Sequence, residues 1–394
     1  RSNAIEGYAS EMRVLPGGSL DFLVSMDPPG TFLIDVYRMG YYGGTGARHM
    51  ARLGSFRSRT QPVPMMTIER LRECDWETTT SFTVPSDWPS GVYLAKLTRE
   101  DVDFGVQSYI SFVVKEQRNT DLLCQVSDIT WQSYNKWPGN DSLYQDGTPA
   151  VYYTGPNVRV SFERPYAKHQ QGYDAPLSAG SGEYLLWEHP MTFWLEKEGY
   201  DVTYCSNLDL HLDPGILKTC KAFVSVGHDE YWSRDMYNAV IAARDDGMSI
   251  AFFCGNSVAT EVVMYDSSVT GAPARAFARA GDAGGSGALD EDAKLLGLKF
   301  HGVGYGDWKV TKPDHWIYES TGLRMGDTIP GVVGFEYHED PADIPGLEIV
   351  ASNPLYACLN ERRSPGWHKP DPTHYAITYP GPRGNWVFNA SSIW

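Results

Sequence analysis

The run Ala222-Phe223-Val224-Ser225-Val226 constrains the fold more than any other stretch of this chain, because a short apolar run of this kind fills the centre of a parallel sheet. Gly227-His228-Asp229-Glu230-Tyr231-Trp232-Ser233 follows at once. An imidazole and two carboxylates therefore stand where a buried strand should turn toward a helix, and ligands of such sheets bind just beyond the carboxyl ends of the strands. Alternate residues of an extended turn project to one side, so His228 and Glu230 are expected to share a cleft while Asp229 points away. A carboxylate ahead of a helix also serves as a cap or dipole partner, so the tripeptide alone does not decide for chemistry.

From Ile5 to about Lys115, short alternating or apolar runs such as Thr31–Tyr37, Gly91–Leu97 and Ser108–Val114 are separated by turn residues. That pattern predicts an immunoglobulin-like β-sandwich over residues 1–117. The polar Glu116-Gln117-Arg118-Asn119-Thr120 marks the boundary. Over residues 118–394 strand, loop and helix alternate, which predicts a doubly wound α/β domain. Its strands are expected at Leu122–Val126, Val202–Cys205, Ala222–Val226 and Met248–Phe253. One helix is expected from Trp187 to Gly199 with Trp187, Met191, Trp194 and Leu195 on its inner face, and another from Ser233. Glycine-rich 281–289 reads as a mobile loop, with further strands after it.

A chain of 394 residues outgrows one compact core, and 42% hydrophobic residues are enough to fill two. The formal charge of -16, with no offsetting run of Lys or Arg, excludes nucleic acid and anionic membrane surfaces as natural partners. No apolar stretch approaches the roughly 20 residues that cross a bilayer. The six cysteines show no CxxC spacing, which argues against thiolate metal binding; Cys205 with Cys220 is the first disulfide pair to test. Cys254 ends a predicted strand, but Phe252 stands where a nucleophile elbow needs a small residue, so a buried thiol is expected there. The start Arg1-Ser2-Asn3-Ala4 lacks Met and leaves room for a removed signal peptide.

A second cluster, Thr130-Trp131-Gln132-Ser133-Tyr134-Asn135 with Ser142-Leu143-Tyr144, follows the Leu122–Val126 strand and puts phenols at another strand's carboxyl end. Together with Gly199-Tyr200-Asp201-Val202, Leu208-Asp209-Leu210-His211, Gly227–Ser233, Cys254-Gly255-Asn256 and the closing Trp386–Trp394, it resembles the carboxyl-terminal catalytic domain of the N,N-dimethylformamidase large-subunit family, from about Leu122 onward. The segment Val36–Gly44 is similar to the β domain of relatives, many of them exported bacterial proteins. The resemblance implies a class I glutamine amidotransferase-like sheet and a mononuclear iron held by two tyrosines and a glutamate. Matched motif to motif, these ligands are Tyr134, Tyr144 and Glu230, with Tyr152 and Tyr153 competing for the place of Tyr144. His228 and Asn256 fall beside the metal as catalytic groups, one moving protons and one orienting substrate. The family's hydrolases use a further acid-base glutamate, yet the comparable stretch His374–Pro380 has no carboxylate; Glu336 is the substitute to consider.

Those residue types suit one chemistry. A phenol of pKa about 10 binds as phenolate only to a strongly Lewis-acidic centre. Two phenolates and a carboxylate favour hard Fe(III), and three protein ligands leave positions for water and substrate. The expected activity is iron-dependent hydrolysis of a small amide or formamide-like C–N bond, with a small-molecule amide as partner and a homo-oligomer left open. Export to the periplasm or medium is the expectation from relatives, with the cytoplasm still open. Two rivals stand beside this reading: another metal-dependent reaction of specialised metabolism, and a non-catalytic exported protein that binds a polymer or glycan.

Overall fold

The computed structural model describes residues 4–102, 105–144, 158–167, 179–281, 288–290, 293–358 and 371–394. Alternation in the first third builds strands with one apolar face. In Gly30–Met39, Phe32, Ile34 and Val36 are fully buried. That strand pairs antiparallel with Ala47–Ser58 on one side and Gly91–Arg99 on the other. Gln107–Val114 and Arg13–Val14 complete a five-stranded sheet, and Ile5–Ala9, Ser19–Met26 and Thr80–Thr83 form a three-stranded one. Phe22, Phe32, Tyr93 and Phe112 meet in a core shared by the two sheets. Each contributes about 1.5–3 kcal/mol by leaving water.

Apolar packing continues across residue 117. Met12, Met39, Val92, Leu94 and Val113 belong to the same cluster as Leu123, Val126, Phe223 and Val226. Charge pairs cross as well. Arg38 donates from Nη2 to Glu196 Oε1 at 2.7 Å and to the Ser90 carbonyl at 2.6 Å. Arg13 and Lys115 both reach Asp209 Oδ1, at 3.1 and 2.8 Å.

The site-bearing sheet has seven strands in the order Val202–Ser206, Thr120–Val126, Cys220–Gly227, Ser249–Cys254, Trp386–Asn389, Thr373–Pro380 and Glu348–Pro354. The first five run parallel, Thr373–Pro380 runs against them, and Glu348–Pro354 pairs antiparallel with Thr373–Pro380 at the edge. This overturns the doubly wound α/β expectation and its class I glutamine amidotransferase-like sheet. Among the described residues 42% are strand and 15% helix, arranged in five sheets that are mixed or antiparallel. The physical reason lies in the chain after Cys254. It comes back as antiparallel strands such as Leu298–Lys309 and Glu336–Pro341 instead of as covering helices. The helices Asp128–Ser133 and Asn207–Leu212 are only six residues long.

Several local expectations are corrected too. The Trp187–Gly199 helix is two pieces, a π turn Tyr184–Glu188 and an α-helix His189–Lys197, and Trp194 is exposed on it. A π turn shifts the helical phase, so residues either side of it do not keep one stripe. Cys205 and Cys220 are free thiols, as is buried Cys254. The helix begun by Ser233 is present as Arg234–Asp245, with the Ser233 hydroxyl accepting from the Met236 amide. Residues 282–287 of the glycine-rich loop lie outside the described residues.

Candidate metal and catalytic site

The strand Cys220–Gly227 delivers His228 at its carboxyl end through Gly227, whose φ of +78° lets the backbone turn. A side chain there would meet Trp187 Cβ at 2.9 Å, so glycine is required twice over. The next residues alternate. His228 and Glu230 face one another, with Nε2 and Oε2 3.3 Å apart. Asp229 turns inward and accepts from Gln125 Nε2, Asn207 Nδ2 and Ser225 Oγ at 2.7, 3.1 and 2.6 Å. Burial raises its pKa against those donors, and it serves the frame of the turn. The Thr130 hydroxyl accepts from the Glu230 amide at 3.0 Å and so ties this turn to the helix that carries Tyr134.

Tyr134 caps the carboxyl end of Asp128–Ser133 and donates its phenol to Glu230 Oε2 at 2.5 Å. Its ring stacks on His228 and on Tyr144, each with centroids 5.3 Å apart. The Tyr144 phenol is bonded to that of Tyr231, which lies 3.4 Å from the Tyr134 phenol. Tyr134, Tyr144 and Glu230 are thus brought to one place, joined by Tyr231. The competing Tyr152 and Tyr153 lie outside the described residues.

Glu336 reaches the same centre from the strand Glu336–Pro341. Its Oε2 lies 2.7 Å from His228 Nε2, and it is 3% exposed. Gly255 makes that approach possible, since a Cβ there would stand 2.2 Å from the Glu336 carbonyl oxygen. Asn256 follows at φ +49° with its Oδ1 buried and without a hydrogen bond. Its segment is fastened to the site turn by Val258 N to Asp229 O and Thr260 N to Glu230 O, at 3.0 and 3.1 Å.

On the far side of His228, Glu183 Oε2 stands 3.5 Å from Nδ1. The three carboxylates lie close enough to pair with the ring, yet neither of its nitrogens makes an aligned hydrogen bond. Burial alone would strip the imidazole of its proton. The charge of Glu336 and contacts with Glu183 and Glu230 outweigh burial and hold its pKa well above the ordinary value. Nearby Glu188 accepts from Trp131 Nε1 and the Ser127 amide at 2.8 and 3.2 Å, and burial pushes its pKa up to about 8.

This donor set suits a cation. Glu230, Glu336 and Glu183 converge on His228, the phenols of Tyr134, Tyr144 and Tyr231 cluster beside Glu230, and Arg279 lies 5.0 Å from the Tyr144 ring centroid. Acidic oxygens outnumber positive charges in a buried place, and the phenols supply hard donors for a trivalent ion. His228, Glu230 and Glu336 also form a compact group whose ligand atoms lie within 4.8 Å of one another.

The chain matches the family described as "N,N-dimethylformamidase beta subunit-like, C-terminal" over residues 33–394. It belongs to that family. The family match begins in the first β region, well before Leu122. No curated protein matches the chain. Among solved structures, it is 9% identical to a family 123 glycoside hydrolase from Clostridium perfringens, with a TM-score of 0.14, over 62% of this chain and 67% of that one. Within the family frame, sequence reasoning passed over Glu183, Glu188 and the role of Tyr231. Tyr231 was within reach as the neighbour of Glu230; nothing around Ser181-Gly182-Glu183 signals a site.

Proposed function

We propose that this member of the dimethylformamidase-like family is an iron-dependent hydrolase of a small amide or formamide-like C–N bond. The observation that carries the reading is the meeting of the Tyr134 phenol and Glu230 Oε2 at 2.5 Å, with Tyr144, His228 and Glu336 around them. Tyr134, Tyr144 and Glu230 would hold the metal, and a bound Fe(III) would supply Lewis acidity toward the carbonyl oxygen and toward water.

The remaining groups divide the proton work. Glu336 is the general base that takes a proton from the attacking water, and His228, kept protonated by its carboxylates, gives one to the departing nitrogen. Asn256 donates its side-chain amide to the developing oxyanion. Water adds to the carbonyl carbon, the C–N bond breaks, and amine and carboxylic acid leave without a covalent enzyme intermediate.

Metal analysis with a visible spectrum tests the site. Stoichiometric iron with a phenolate charge-transfer band, weakened or shifted in Tyr134→Phe, is expected. A colourless, metal-free protein from iron-replete medium would remove the metal and favour a binding protein. A colourless protein holding another metal would point to the His228, Glu230 and Glu336 group instead. Release of amine or formate from a panel of formamides tests the reaction, and no turnover by iron-loaded protein would leave the site and discard the chemistry.

A further inference from the structure

Glu183 is 1% exposed, and neither of its carboxylate oxygens takes a hydrogen bond from a described residue. It stands just before the π turn Tyr184–Glu188 and does not cap that turn with its side chain. Burying a carboxyl group without hydrogen bonds is costly, so local structure alone gives no reason to have it there. The polar group it approaches is His228, with Oε2 3.5 Å from Nδ1.

The surroundings of His228 show what this contact adds. Tyr134 stacks on the ring with an interplanar angle of 24°, and Phe335 meets it edge-on at 6.0 Å. Flat neighbours fix the plane of an imidazole, but a ring turned over by 180° fits the same slot. The two orientations exchange nitrogen and carbon positions. Only polar groups distinguish them, and on the Nδ1 side that group is Glu183, opposite Glu336 and Glu230 on the Nε2 side.

We propose that Glu183 is a positioning residue that selects one ring orientation of His228, holding Nδ1 so that Nε2 is the nitrogen presented to Glu336 and the reacting bond. The proposal rests on the function proposed above, in which His228 Nε2 delivers a proton. Glu183 itself touches neither substrate nor metal. Groups standing behind a site residue in this way alter activity about 10–100-fold when removed.

The test uses the full chain with Glu183→Ala and Glu183→Gln, the second keeping the size of the side chain in case the first fails to fold. Long-range 1H–15N spectra of histidine-labelled protein before iron loading report each ring, and His228→Gln identifies the His228 signals. The expected result is one set of His228 signals in the natural protein and shifted or doubled signals in both variants, with the other nine of the 10 histidines unmoved. After iron loading, iron content and the phenolate band should stay, KM for a hydrolysed formamide should stay within about threefold, and kcat should fall about 10–100-fold. Unmoved His228 signals in both variants, or kcat within about threefold of the natural value, would overturn the proposal. If the natural protein holds no iron or turns over no formamide, the proposed function fails separately, and the spectra still decide whether Glu183 orients His228.

Discussion

The phenol of Tyr134 donates to Glu230 Oε2 across 2.5 Å, joining the end of one short helix to the turn after a central strand. The Thr130 hydroxyl accepts from the Glu230 amide at 3.0 Å and ties the same two segments together. Tyr134→Phe should leave the fold intact while removing a proposed metal donor. Iron per chain should fall at least tenfold after dialysis, an effect on the order of 1.4 kcal/mol or more, and elemental analysis with absorbance checks it. Glu230→Gln should act in the same direction.

Glu336 should separate chemistry from metal binding. Glu336→Gln keeps the size of the side chain and loses the base, so kcat should drop about 10²–10⁴-fold with iron content unchanged. Gly255→Ala should approach the same loss by another route, because its new methyl group would stand 2.2 Å from the Glu336 carbonyl and force that strand back. Steady-state rates on a formamide and metal content, measured on the same samples, decide both.

Arg38 and Glu196 make a second expectation, this one about stability. Arg38 is buried, and its guanidinium also meets the Ser90 carbonyl and the Tyr42 hydroxyl. Among the described residues, Arg38→Ala leaves Glu196 with the Tyr41 amide and the Tyr204 hydroxyl, each at 3.1 Å. Losing one member of such a pair should cost about 3–5 kcal/mol in urea unfolding. The double change Arg38→Met with Glu196→Leu should recover more than half of that.

Glu188 gives a pH expectation with a definite sign. Its pKa rises from 4.5 in the unfolded chain to about 8 in the folded one, first because of burial. The folded state therefore holds the extra proton, so the contribution is fully present below pH 4.5 and is lost as pH rises through about 8. Over that window one proton changes stability by about 1.4 kcal/mol per pH unit at most. Glu188→Gln, whose carbonyl can still accept from Trp131 and Ser127, should flatten the pH dependence of denaturant unfolding between pH 5 and 8 relative to the natural chain. Equal slopes in the two proteins would refute it.

Local patterns told the truth where one residue's surroundings are its neighbours in sequence. The alternation of Phe32, Ile34 and Val36 gave a strand, Ser233 gave a helix start, and the order His228, Asp229, Glu230 gave two outward groups and one inward. Sheet architecture was another matter. Strands beyond the glycine-rich loop were expected, but nothing in the run Trp386–Asn389 says that it will lie parallel to Ser249–Cys254, or that Thr373–Pro380 will pair with it antiparallel. Glu336 was legible only as an alternative, since its approach depends on Gly255, remote in sequence. Glu183 was invisible because its meaning comes from a ring 3.5 Å away in space.

The late arrival of Trp386–Asn389 in the middle of the seven-stranded sheet bears on how the molecule is made. Until those residues have been synthesised and released, Ser249–Cys254 is an open edge with an unpaired row of amides and carbonyls, the kind of edge that invites other chains to add to it. A fragment stopping short of Trp386 would keep every proposed iron ligand and still lack the strand that pairs with Ser249–Cys254. Expression of such fragments should yield aggregate, and the interval of synthesis before Trp386–Asn389 emerges is when this chain most needs protection from its own copies.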